Sequence, residues 1–544
     1  YNIFANDPGF IKKDIESILA VTTDDVKRVY EKYIKGKNYI ATSFVPRGQL
    51  DLALADSEKA EVVEEAIVQG AEETFDASIQ AEYDRTPSSF DRTVEPPYGS
   101  APEIQIPSVY EASLSNGLKI YGIENDEVPL VQINLAIDGG QLLEDMDKLG
   151  VANLTAALMT RGTATKTPAE LEEAIDQLGA SINVFAGKES IRVSANTLAK
   201  NYDETLALME EILLEPRWDE EEFELAKQST ISQIRQQEAN PNAIAGNAYD
   251  ILIYGKDDIR AQNRLGTMET VSSLTIEDLK AYYDANISPS VARLHVVGDI
   301  SESELVKSLS SLNSKWESKP VTLPELSQPK APEKAQVYFY DVPDAKQSVL
   351  NIGYAAMPAT DPDFYPATVM NYILGGGGFA SQLTQQLREG KGYTYGIRSG
   401  FSGNEYDGTF TISSGVRTNV TLESTQLVKD ILNNYGPGFT EKDLETTKGF
   451  LIKSNARAFE TAGAKLNMLE NISQYGLPYD YVKEREAIVR GMTVDKIRSL
   501  SQKYLDEDKM IWLVVGDAKT QLNRMKELGF GEPILINDMT GPEK

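Results

Sequence analysis

The chain has 544 residues with 53 basic and 83 acidic side chains, a net charge of −30, which excludes nucleic acid as a partner because phosphates need Lys and Arg for neutralisation. It has no cysteine, which excludes disulfides, thiolate metal sites and a thiol nucleophile. Its single histidine, His295, argues against a zinc hydrolase site made by this chain alone, since such sites usually take two or three.

The length allows two to four domains with well-developed cores. No run approaches the roughly 18 apolar residues of a membrane span. The acidic surplus serves solubility or lines a cavity that attracts basic peptides. From the N-terminus, "VTTDDVKRVYEKYI" (21–34) reads as a capped helix with Val26, Val29, Tyr30 and Tyr33 at helical spacing. "YIATSFVP" (39–46) reads as the strand that follows. This helix-then-strand signature returns as "LTIEDLKAYYDANI" (274–287) with "ARLHVVGDI" (292–300), and as "MTVDKIRSLSQKYL" (492–505) with "MIWLVVGDA" (510–518). Such repetition marks tandem copies of one domain, each closed by this unit. Residues 1–50 therefore read as the C-terminal remnant of a preceding domain, because a lone helix and strand cannot bury a core.

Residues 51–107 read as a linker. An acidic stretch, 51–84, is expected to be partly helical, and a Pro- and Ser-rich stretch, 85–108, to be extended. "VYEASLSNGLKIYGIEN" (109–125) reads as a hairpin turning at Asn116-Gly117. "GVANLTAALMTRGT" (150–163) reads as a helix opened by Gly150 and closed by Arg161-Gly162-Thr163, with no side chain in its helical part able to bind a metal or move a proton at neutral pH. Alternating strands follow in "ASINVFAGKESIRVSAN" (180–196), and again in "GIRSGFSGNEYDGTFTISSG" (396–415). After each comes a helix, a turn and a second capped helix, over 206–228 and 425–449. Two full domains result, 108–325 and 330–544. Each is α+β, a largely antiparallel sheet with helices packed on it. His295 falls on a strand, where a lone histidine is packed rather than catalytic. In "NYILGGGGFASQLTQQLREGKGYTYGIRSG" (371–400), the glycine run lacks the Gly-Lys-Ser/Thr ending of a phosphate loop. Conformational freedom near a substrate or a facing half is the expected use of those glycines.

These motifs together resemble the pitrilysin/insulinase family of zinc peptidases, which carry an inverted His-x-x-Glu-His helix. The resemblance implies a fold like that of the mitochondrial processing peptidase and pitrilysin, with similar α+β domains forming two halves that close around a peptide chamber. It places residues 1–50 at the end of the second domain, 108–325 in the third and 330–544 in the fourth. It also puts Asn153 and Ala157 where the family has its zinc histidines, Ala156 where it has the general-base glutamate, and Gln233 where a glutamate on a second helix completes the metal site. The metal donors and the base are gone, so no cofactor is expected in this chain, and zinc is expected in a missing N-terminal half. The helix then persists because its domain needs it as core. Arg388 and Tyr395 match the family's Arg/Tyr pair, which reaches from the fourth domain toward the zinc of the first. Strand region 179–197 resembles the edge that pairs with a substrate backbone.

The function this implies is that of the C-terminal half of a zinc metallopeptidase, inactive alone, lending Arg388 and Tyr395 to its partner's site. The partner is the N-terminal half of the same polypeptide or a catalytic subunit, and the substrates are peptides. A bacterial periplasm or cell envelope is the expected location. The alternative is a catalytically dead scaffold or peptide-binding module of the same fold, against which the retained Arg388 and Tyr395 weigh.

Overall fold

The computed structural model describes residues 1–46, 48–61, 88–92, 94, 96, 97, 99 and 103–537. The chain divides into two compact units, 1–66 and 67–544. Of the acidic linker, residues up to 61 show one short 3₁₀ turn, Leu50–Leu52, and no further helix. The remainder of the expected helical stretch lies outside the described residues, as does part of the Pro-rich segment.

The first unit holds helices α1 (Phe10–Leu19) and α2 (Thr23–Tyr33). α2 is capped as expected, with Thr22 accepting from the Asp25 N–H and the Asp25 carboxylate accepting from the Thr22 N–H. The strand expected over 39–46 does not form. Those residues belong to no strand or helix; a strand needs a neighbour to take up its N–H and C=O groups. Neither helix has a buried residue. The three copies of the closing helix make this plain. Val26 is 58% exposed, whereas its counterparts Leu279 and Ile497 are both 0% exposed. Val21, Val29 and Ile34 are bare in the same way, while Leu274, Tyr282 and Ile287 in the second copy and Met492, Leu500 and Leu505 in the third are buried.

The second unit contains two sheets of matching design. The first is built from β1 (Tyr110–Ser113), β2 (Lys119–Glu124), β3 (Leu130–Asp138), β4 (Ser181–Ala186), β5 (Ser190–Leu198) and β6 (Ala292–Gly298), in the order β1-β2-β6-β3-β5-β4. The second is built from β7 (Gln336–Asp341), β8 (Gln347–Ala356), β9 (Thr394–Gly403), β10 (Gly408–Arg417), β11 (Ile511–Gly516) and β12 (Ile534–Leu535), in the order β12-β7-β11-β8-β10-β9. Five positions correspond one to one. The sixth differs: the expected hairpin supplies β1, antiparallel to β2, whereas the chain returns near its C-terminus to lay β12 parallel to β7. Each sheet is largely antiparallel, with β2–β6 and β7–β11 parallel. At the hairpin, Gly117 has φ +98°, a left-handed backbone that suits glycine in an Asn-Gly turn.

Among the described residues, the first sheet is accompanied by α3 (Val151–Met159), α4 (Pro168–Gln177), α5 (Tyr202–Leu214), α6 (Glu220–Glu238), α7 (Pro241–Tyr254), α8 (Met268–Ser273), α9 (Ile276–Asn286), α10 (Glu302–Ser308) and α11 (Ser310–Lys315). The second sheet is accompanied by α12 (Phe364–Asn371), α13 (Thr421–Gly438), α14 (Glu441–Ser454), α15 (Ala462–Tyr475), α16 (Tyr481–Gly491), α17 (Val494–Tyr504) and α18 (Ala518–Gln521). Alternation along β3 sends Val131, Ile133, Leu135 and Ile137 into the core that Leu154 and Leu158 of α3 also fill. Full burial of such a side chain contributes about 1.5–3 kcal/mol.

The two halves of this unit exchange a helix. Ala245, Ala248, Tyr249 and Ile253 of α7 pack on Val349, Leu513 and Val515 of the second sheet. In return, Met468, Leu469 and Ile472 of α15 pack on Ile123 and Val297 of the first. A buried ion pair adds a polar tie, with Arg260 donating to Asp407 at 2.7 Å and to Asp258 at 2.6 Å. The Tyr254 hydroxyl also donates to Asp407.

Candidate functional site

The positions that the resemblance matches to a zinc motif, Asn153, Ala156 and Ala157, lie on α3. Gly150 opens that helix with φ +94°, and a Cβ there would sit 2.5 Å from the Leu265 carbonyl oxygen, so only glycine fits. The Glu144 carboxylate caps the helix, accepting from the Gly150 and Ala152 N–H groups at 2.9 and 2.8 Å, at the end where the helix dipole favours an anion. Burial pushes the Glu144 carboxyl up to about 7 against the pull of those two bonds.

Val151, Ala152, Leu154, Thr155, Ala156, Leu158 and Met159 are buried. Ala156, at the general-base position, is therefore part of the core. Asn153 and Ala157, one helical turn apart, share the partly open stripe. Asn153 uses its side-chain oxygen as acceptor from Arg264 Nη1 at 2.8 Å. Ala157 has no donor atom. Gln233 is exposed on α6, and its amide donates to Ser229 one turn back. An amide already engaged, two alanines and a solvent-facing glutamine do not fit a zinc ion. Among the described residues no group of three or more His, Cys, Asp or Glu side chains is placed to hold a metal.

Arg264 is the residue that sequence reasoning missed. Its guanidinium lies 4.7 Å from the ring centre of Phe185 on β4, so it bridges α3 and the outermost strand of the first sheet. Nothing in "QNRLG" (262–266) marks it.

Arg388 and Tyr395 come together in the second half. Arg388 sits in a π-helical turn, Thr384–Gly390, and Tyr395 follows at the start of β9. The guanidinium is sandwiched between aromatic rings, 4.8 Å from the centre of Phe379 and 5.0 Å from that of Tyr395. Tyr395 is 89% exposed, and among the described residues its hydroxyl has no hydrogen-bond partner. No hydrogen bond, ion pair or ring contact links this pair to Asn153, Ala156, Ala157 or Gln233. The backbone here is a helix end followed by a strand.

The glycine run serves close packing more than freedom. A Cβ on Gly375 would fall 2.6 Å from the Ser399 nitrogen on β9, and one on Gly377 would fall 2.8 Å from the Tyr372 carbonyl. Within the run, Gly378 alone has a left-handed φ, +55°. The expectation of conformational freedom is corrected to that extent.

His295 is buried on β6. Its Nδ1–H donates to the Asn134 carbonyl at 3.1 Å, which leaves Nε2 to accept from the Ser473 hydroxyl of α15 at 2.7 Å. Burial pushes the imidazole down to about 4, so it is neutral at neutral pH. A polar cavity of about 320 Å³ lies beside it, where the two halves meet. Two of its arginines are paired internally, Arg293 with Asp138 and Arg192 with Glu470.

A family model described as "Insulinase (Peptidase family M16)" matches residues 121–254, and one described as "Peptidase M16 inactive domain" matches residues 273–451. A zinc protease of Bacillus subtilis described as uncharacterized, YmxG, is 24% identical over 407 residues, 73% of this chain and 96% of its own length. A "Non-peptidase homolog YmxG" of Helicobacter pylori is 25% identical over 433 residues, 77% of this chain and 93% of its own. The crystal structure of a peptidase M16 inactive domain from Pseudomonas fluorescens superposes with a TM-score of 0.70 at 25% identity, covering 75% of this chain and 98% of that one. With two adjoining family models matched and the tandem α+β fold in place, the chain belongs to the M16, or insulinase, family of peptidases.

Proposed function

We propose that this chain is the non-catalytic half of a two-half zinc metallopeptidase. It closes a peptide chamber against a catalytic half and extends Arg388 and Tyr395 to that half's site. The observation that carries this reading is Tyr395 itself, a phenol seated on a guanidinium, 89% exposed, whose hydroxyl has no hydrogen-bond partner among the described residues. A phenol in that state is suited to donate to the oxyanion that forms when a peptide carbonyl is attacked. Arg388 fixes the ring and has N–H donors to spare for a substrate carbonyl. Neither role needs a titration. The metal, which would supply the activated water, belongs to the partner, because the α3 positions here offer no donor set.

The bare first unit supports the same reading. Its helix α2 repeats, position for position, the closing helices α9 and α17 of the second unit, and its apolar side chains are suited to a further domain of this fold. That domain belongs to the N-terminal half of the same polypeptide or to a separate catalytic subunit.

The first test is to read the coding sequence adjoining Tyr1 for an in-frame His-x-x-Glu-His helix, then to assay peptide hydrolysis by the two halves expressed together. Zinc-dependent hydrolysis that needs both halves supports the proposal. An adjoining half with the same losses as residues 150–163 would overturn it. In that event the second reading, a peptide-binding module without catalysis, takes its place. What favours that reading is the description of the Helicobacter pylori relative as a non-peptidase homolog.

A further inference from the structure

A half-buried cation stands at the dismantled motif without a counter-ion. Among the described residues no carboxylate pairs with Arg264, whose contacts are the Asn153 oxygen and the Phe185 ring. Two other interior arginines are paired with carboxylates. Arg260 is bonded through two nitrogens to Asp258 and through a third to Asp407, and Arg293 grips Asp138 through both terminal nitrogens. The chain has 83 acidic residues against 53 basic ones, so the lack of a partner at Arg264 is not a shortage of anions. Desolvation pulls the Arg264 guanidinium below its ordinary range, the direction expected of a cation that is partly buried and unanswered.

The geometry is that of a held fork. A guanidinium has five N–H donors in one plane. Asn153 takes one from Nη1, Phe185 supports the flat face, and no other protein acceptor among the described residues takes the rest. A planar cation fixed on two sides and open on its donors matches a carboxylate, which accepts two parallel N–H bonds. Arg264 also touches β4, the outermost strand of its sheet, whose free edge is where an extended peptide would add.

We propose that Arg264 binds carboxylate. Beside a helix without metal ligands, the guanidinium set between Asn153 and Phe185 receives the carboxylate of a peptide, from its C-terminus or from an Asp or Glu side chain. This rests on the peptidase-half reading only for the peptide as source of the carboxylate.

The test uses the full chain with no catalytic partner. A hexapeptide of Ala, Val and Thr with an uncharged N-terminal dye is titrated by fluorescence anisotropy in three forms: free C-terminal acid, C-terminal amide, and amide with one internal Glu. The acid binds roughly tenfold or more tighter than the plain amide. The net charge of −30 works against an anionic peptide everywhere else, so this preference has to come from a local cation. Tight binding of the Glu-containing amide assigns the carboxylate to a side chain, and failure of that form beside success of the acid assigns it to the C-terminus. R264Q makes acid and amide equal, and R264K, a point charge without the fork, keeps part of the difference. Should R264Q fail to fold, the wild-type comparison and R264K decide. Equal binding of all three forms by wild type, no binding at millimolar peptide, or an acid preference that survives R264Q would overturn the proposal. A lack of turnover with a catalytic half would leave these titrations unchanged, so the two readings fail separately.

Discussion

Replacing Asp407 by alanine tests how the two halves of the second unit are joined. Asp407 sits in the turn between β9 and β10, its side chain 2% exposed, and accepts from Arg260, whose side chain is 6% exposed, at 2.7 Å. It also accepts from the Tyr254 hydroxyl at 3.1 Å. Removing one member of a buried pair costs about 3–5 kcal/mol because the other charge is left buried. A lost hydroxyl acceptor adds about 1 kcal/mol. Asp258 remains bonded to Arg260 at 2.6 Å and offsets part of this, so the expected loss for D407A is about 3 kcal/mol. The assay is urea unfolding followed by tryptophan fluorescence, since Trp316 lies in the first core and Trp512 in the second. D407A lowers the midpoint and separates the unfolding of the halves. The triple replacement D258N/R260M/D407L restores most of the stability, because Asp258, the other carboxylate on Arg260, is neutralised as well and no charge is left orphaned. A loss under about 1 kcal/mol, the range of an exposed pair, would show that Arg260 and Asp407 are solvated and that the apolar helix exchange alone joins the halves.

Other predictions follow from the buried groups and the lost motif. His295 is the only histidine, so its imidazole proton signals are identifiable without assignment; they stay those of a neutral ring from pH 8 down to pH 5 and titrate near 4. Because the folded value lies below the unfolded one, about 6.5, His295 contributes stability that is present above pH 6.5 and is lost as the pH falls toward 4; H295Q flattens that slope in melting curves. Glu144 has the opposite sign. Its folded value is raised to about 7 from 4.5, so its contribution is present below pH 4.5 and is lost as the pH rises through 7; E144Q gains melting temperature relative to wild type between pH 5 and pH 8, and parallel curves would refute this. The purified chain, dialysed against zinc and then buffer, retains far less than one zinc per chain by mass spectrometry; a stoichiometric ion would show that the α3 face is not dismantled.

Much of this architecture was legible because it is periodic and repeated. The Thr caps, the apolar spacing of 274–287 and 492–505 and the strands behind them all appear where their pattern places them. The same signature failed at 39–46, since pattern marks a strand's faces and only a neighbouring strand supplies its hydrogen bonds. That Asn153, Ala156, Ala157 and Gln233 carry no imidazole or carboxylate is read from the letters alone, because chemistry absent from a side chain is absent from any fold. Arg264 was not readable, because it reaches Asn153 across 111 positions of chain. Nor did the glycine run disclose its purpose, which is the approach of Gly375 to a strand more than twenty residues on. The adjacency of Arg388 and Tyr395 could be matched from the family pattern, but the second ring on Arg388, Phe379, could not.

The most direct test of the supporting-half role is a comparison of Tyr395→Phe with wild type in zinc-dependent peptide hydrolysis by the complete two-half protein. Loss of one oxyanion donor is expected to lower kcat by about 10²–10³-fold with KM close to wild type, because the phenol serves the transition state rather than the bound peptide. An unchanged kcat would contradict the assignment of Tyr395 to a partner's site.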